Sequence, residues 1–162
     1  MDLGGLIGKI LNLASSASGS VLTSSASAQE PPLLMELALL SAMTDGKVSM
    51  KEVAWIGASL AANPLLAVWD QAKTAKAAKE THARYDTAEK AAARALELAD
   101  KVTDAKQREL LYGLAALSAA SDKVFTPLEA RYLRQLQKKW GITDEAANKV
   151  HVGLELPPPL EE

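Results

Sequence analysis

Asp45-Gly46-Lys47-Val48-Ser49-Met50-Lys51-Glu52 and Asp122-Lys123-Val124-Phe125-Thr126-Pro127-Leu128-Glu129 are two copies of one pattern. Each reads Asp, two residues, an apolar residue, Ser or Thr, two residues, Glu. The flanks agree: Leu40-Ser41-Ala42 matches Leu117-Ser118-Ala119, and Trp55-Ile56 matches Tyr132-Leu133. A repeat of this length implies two related helix-loop-helix units.

The local chemistry is that of helix starts. Ser49-x-x-Glu52 and Thr126-x-x-Glu129 are capping boxes, in which the hydroxyl accepts from the backbone three residues on and the Glu reaches back to the cap's own N–H. Val48 and Phe125 stand before the caps, where an apolar side chain staples the entry angle. Pro127 takes the first helical position, where its missing N–H costs nothing. Asp45 and Asp122 fall in the tight turns that close the preceding helices, and Gly46 suits a left-handed cap.

Two readings of the four acids stand side by side. In one, Glu52 and Glu129 cap helices while Asp45 and Asp122 close turns. In the other, pseudo-symmetric packing gathers Asp45, Glu52, Asp122 and Glu129 into a site for a hard divalent cation, Ca²⁺ or Mn²⁺, which takes oxygen ligands. An EF-hand is excluded, because there is no Asp-x-Asp-x-Asp-Gly run. Turns more than about 10 Å apart cannot share one ion, since carboxylates ligate Ca²⁺ at roughly 2.3–2.6 Å.

The doubled pattern resembles the TerB-like family, all-α domains associated with tellurite-resistance operons and with the N-terminal part of membrane-anchored DnaJ-like co-chaperones. The residues that carry the resemblance are Ala42-Met43-Thr44-Asp45-Gly46 leading to Glu52, then Leu110 to Leu117, Ser121-Asp122, Glu129, and Leu133 to Gly141-Ile142. It covers roughly residues 33 to 150. The chain departs from the pattern at Thr44, Lys51, Lys123 and Leu128, where the family favours Ala, acid, Gly and acid. No His-Pro-Asp tripeptide exists, so co-chaperone J-domain chemistry is absent. The resemblance implies a binding module in stress or tellurite-resistance physiology.

Composition sets the bounds. A chain of 162 residues accommodates one domain with a substantial core. Eighteen Lys and Arg against twenty Asp and Glu leave a net charge of -2, so no overall basic field marks it for nucleic acid. With no cysteine, disulfides, thiolate zinc and cysteine nucleophiles are excluded, in keeping with a cytoplasmic protein. No apolar run reaches the ~20 residues that span a bilayer. Ala26-Ser27-Ala28 has the form of a cleavage site, yet Asn12, Ser15, Ser16 and Ser18 break the apolar stretch before it, and the reading is against export.

Along the chain, residues 1–30 form an amphipathic helix and a Ser/Ala-rich linker, 31–152 the helical domain, and 153–162 a Pro-rich tail. Leu3, Leu6, Ile7, Ile10 and Leu11 share one face of the segment 2–14, with Asp2, Lys9 and Asn12 off it. That face either completes the domain's own core, docks on a protein partner or larger assembly, or lies on a membrane surface. Pro31 and Pro32 mark entry to the domain.

Leu33 to Met43 and Ser49 to Ala62 are the first helix pair, Asn63-Pro64 a break, and Leu65 to Trp69 the start of a third helix. The Ala-rich stretch from Gln71 to Ala95 lacks large apolar residues and is expected to contribute little deep core, as one long helix or a hairpin turning near Tyr85-Asp86. Thr103-Asp104 caps a helix to about Ser121, Thr126 to Trp140 is the second-copy helix ended by Gly141, and Thr143 starts a short final helix.

Other chemistry finds little purchase. Lys73, Lys76 and Lys79 form a stripe that reads as a solvated face diluted by nearby acids. His82 and His151 lack partners at ligand spacing and read as surface or partly buried residues. Trp55, Trp69 and Trp140 lie on apolar faces and read as core. No nucleophile elbow, phosphate-cradling loop or small-molecule pocket is legible, so the expectation is a non-enzymatic, all-α helical bundle of two pseudo-repeated helix pairs.

Overall fold

The computed structural model describes residues 33–45, 71–120 and 124–160, and all the regular structure among them is helical. Helix α1 spans Leu33–Ala42 and tightens into a 3₁₀ turn, Met43–Asp45. Then follow α2 (Gln71–Arg84), α3 (Ala88–Ala99), α4 (Ala105–Ala120), α5 (Pro127–Trp140) and α6 (Asp144–Gly153). The expected segment 2–14, the linker, the helix from Ser49 and the tryptophans Trp55 and Trp69 lie outside the described residues.

Local sequence accounts for the helix boundaries. The stretch after Gln71 is two helices rather than one, α2 and α3, separated at Tyr85-Asp86-Thr87. Thr87 starts α3 from an extended conformation, its hydroxyl accepting from Lys90 N at 3.2 Å. Asp104 precedes α4 and its carbonyl accepts from Arg108 N at 3.0 Å. Gly141, at φ 66°, ends α5 in the left-handed conformation. Ile142 N reaches back to the Gln137 carbonyl at 3.0 Å, which satisfies a carbonyl the helix would leave unpaired. Thr143 then caps α6 through Ala146 N.

Helix α1 packs against α2, α3 and α4, and α5 packs on α3 and α4. Leu33, Leu37, Leu39, Leu40 and Met43 are all buried, so α1 is apolar on several sides, as a central helix must be. The Ala-rich helices α2 and α3 depart from their sequence expectation. Ala77, Ala78, Ala91, Ala92 and Ala95 are core, and Ala91 and Ala95 are 0 % exposed. A methyl side chain lets two helix axes approach closely, so these residues contribute proximity rather than bulk.

Trp140 is buried, as its apolar context implies, and its indole N–H donates to the Ala99 carbonyl at 3.0 Å. That bond ties the end of α5 to the end of α3, beside an exposed Lys139–Asp100 pair at 2.8 Å. No helix among the described residues is long and apolar enough to cross a membrane.

Candidate functional site

The second copy of the motif is built as its spacing requires. Thr126 is extended (φ -84°, ψ 156°), and its hydroxyl accepts from Glu129 N at 3.2 Å. Glu129 Oε2 returns the contact, accepting from both the Thr126 N–H and the Thr126 hydroxyl at 2.7 Å. The side chain is 1 % exposed, so this is a buried carboxylate. A carboxylate out of water needs such donors, and the cap supplies them. Phe125 is half-buried against the core, in the staple position.

Asp45 closes the 3₁₀ turn of the first copy. One residue earlier, the buried Thr44 hydroxyl donates to the Ser41 carbonyl at 2.7 Å, which stitches the turn to α1. Of the four acids singled out in the sequence, Glu129 is described with its side chain and Asp45 by its backbone. Glu52, Asp122, and the apolar set Leu3, Leu6, Ile7, Ile10 and Leu11 fall outside the described residues. Among the described residues no three His, Cys, Asp or Glu side chains group as a metal site would require.

The two repeats meet through a buried hydrogen bond. Ser41 of the first copy and Tyr132 of the second lie 2.9 Å apart, oxygen to oxygen. Burial raises the Tyr132 phenol above its ordinary pKa, with the Ser41 bond acting against that shift. Leu37 and Ser41, one turn apart on α1, line a cavity of about 10 Å³ together with Tyr132, Leu136 and Trp140 from successive turns of α5. Such a space holds one water at most. The 3₁₀ turn that ends at Asp45 packs on both α3 and α5.

Sequence reasoning missed a second polar cluster. His151 is 2 % exposed rather than at the surface, while His82 is exposed on α2. His151 Nδ1 bonds the Pro157 carbonyl, which can only accept, so Nδ1 carries the proton. In the neutral ring, Nε2 then accepts from the Tyr112 hydroxyl at 2.9 Å. Burial pushes the Tyr112 phenol up to about 12, with the nearby Arg134 charge acting in the other direction. Phe125 meets the imidazole edge-on at 6.4 Å. The cluster pins the non-helical tail onto the bundle, with Leu154 buried beside it.

Arg134 donates to Asp144 at 2.8 Å and to Gln137 at 2.9 Å. The Arg134 bond first, and then a Gln137 Nε2 donation to the same oxygen at 2.7 Å, hold the Asp144 carboxyl below its ordinary range. Beside them runs an open groove of about 670 Å³, walled by Arg134, Asp144, Glu145 and Asn148 on one side and Pro158 to Leu160 on the other. Within it Arg134 and Asp144 pair with each other, while Glu145 pairs with Lys149 at 2.9 Å.

Compared with protein-family models, curated proteins and solved structures, the chain has no match.

Proposed function

We propose that this chain is a non-enzymatic binding module of the TerB-like kind, acting in bacterial stress physiology of the tellurite-resistance type. Its ligand is a divalent cation, or a basic group of a protein partner, taken at the acidic turns of the doubled motif. The supporting observation is that the turn ending at Asp45 packs on α5, the helix whose first turn contains Glu129.

The acids divide their work. Glu129 Oε2 already accepts two hydrogen bonds, so Glu129 serves chiefly to hold the turn in shape. Asp45 and Asp122, which no capping box uses, are the primary ligands. Anionic oxygens on a short turn suit Ca²⁺ or Mn²⁺, which bind hard oxygen donors with tolerant geometry.

A Ca²⁺ titration followed by tryptophan fluorescence tests this reading. Trp55 stands three residues beyond Glu52 in sequence and is the expected reporter. Saturable change in the natural chain, lost in Asp45→Asn with helicity intact, is the expected result. Loss of helicity in Asp45→Asn, or no saturable change at all, leaves the acids as turn and cap residues.

A further inference from the structure

The exposed side of α2 is more strongly basic than its sequence neighbourhood indicates. Thr81, Ala77 and Ala78 form its buried edge, Lys73, Lys76 and Lys79 occupy the exposed arc, and Arg84 is exposed at the helix end, flanking Ala77. Glu80 is the single acid within the helix, and it meets Lys76 only at 3.9 Å, with both side chains well exposed. Among the described residues, the acids that follow the helix are placed elsewhere. Asp86 is in the turn, paired with Lys90 at 2.6 Å, and Glu89 is on α3. Lys79 and Arg84 have no acidic partner among the described residues. The remaining exposed positions on this arc include Ala72 and Ala83, which leave the surface flat between the lysines.

We infer that the exposed face of α2 docks on an anionic lipid surface. Charge complementarity carries the argument: four cations and one anion line a helix of 14 residues, about 21 Å long, in a protein whose net charge is -2. The face therefore attracts an anionic plane while the rest of the molecule is repelled, which fixes orientation as well as affinity. A bilayer fits better than a nucleic acid. The α2 face has no Phe, Tyr or Trp ring for base stacking. The sequence also carries Leu3, Leu6, Ile7, Ile10 and Leu11 at helical spacing beside a single Lys, and a membrane surface is one of the three readings of that segment. This inference is independent of the acidic turns.

The test is co-sedimentation of the full chain with vesicles of phosphatidylglycerol and phosphatidylcholine in equal amounts, against pure phosphatidylcholine. Each basic residue near an anionic surface raises partition about fivefold. Lys73→Gln with Lys76→Gln and Lys79→Gln, a triple variant that retains good helix formers, is expected to lower binding about 100-fold. A control of equal charge, Lys90→Gln with Lys101→Gln and Lys149→Gln, is expected to change it less than fivefold. Binding is also expected to collapse in roughly 0.5 M salt.

Four results overturn the inference: no sedimentation with anionic vesicles, equal sedimentation with neutral ones, equal loss in the two triple variants, or binding to duplex DNA without binding to vesicles.

Discussion

Removing the Ser41–Tyr132 hydrogen bond from one side or the other should have unequal consequences. Tyr132→Phe leaves the Ser41 hydroxyl buried but mobile. A helical serine can turn to the carbonyl one turn back, so the cost is about 1 kcal/mol. Ser41→Ala strands the Tyr132 hydroxyl, whose residue is 2 % exposed and whose bond to Ser41 is 2.9 Å long. A buried donor without a partner costs about 1–3 kcal/mol, offset by ~0.5 kcal/mol because Ala is the better helix former. The double variant removes both polar groups, and its cost should be below about 1 kcal/mol.

The double-mutant cycle therefore yields a coupling of about 1–2 kcal/mol between residues on the two repeats. Urea unfolding followed by far-ultraviolet circular dichroism measures it, with the slope m held constant across the four proteins. Additive losses in the double variant would show that the two hydroxyls do not meet. The buried junction of α1 with α5 at Ser41 and Tyr132 would then lose its main support.

Other perturbations probe the remaining elements. Gly141→Ala forces a side chain to φ 66° in otherwise open space, so the loss should be conformational alone, about 1 kcal/mol in urea unfolding. Ala95→Leu inserts bulk where the residue is 0 % exposed, and should cost about 1–3 kcal/mol and broaden near-ultraviolet dichroism. Alkaline titration should destabilise the protein. The Tyr112 phenol is raised from 10.0 to about 12, so the unfolded chain loses its proton first and stability falls as pH rises through that window. Tyr112→Phe should flatten part of that decline in thermal melts.

Much of this architecture is local and therefore readable from sequence. Thr126 and Glu129, Thr143, Gly141 and the turn at Tyr85-Asp86 each act within four residues of themselves, and each stands where its spacing places it. What escapes is long-range. His151 finds Tyr112 39 positions earlier, so nothing around it in the chain marks it as buried. Alanine carries no signal of which way it faces, which is why the core role of Ala91 and Ala95 is invisible before the helices are packed. The repeat pairs Ser41 with Ser118 and Tyr132 with Trp55, but it does not say that Ser41 and Tyr132 touch. For the candidate site the legible part is its residue types and the cap. The placement of the Asp45 turn against α5 comes from packing alone.

The most direct test of a shared site is the stoichiometry of Mn²⁺ binding, followed by electron paramagnetic resonance of the free ion. One saturable Mn²⁺ per chain, lost alike in Asp45→Asn and in Asp122→Asn, is the predicted result. Two independent ions, each lost in only one variant, would mean that the motif copies act separately. No binding would mean that the doubled pattern serves folding alone.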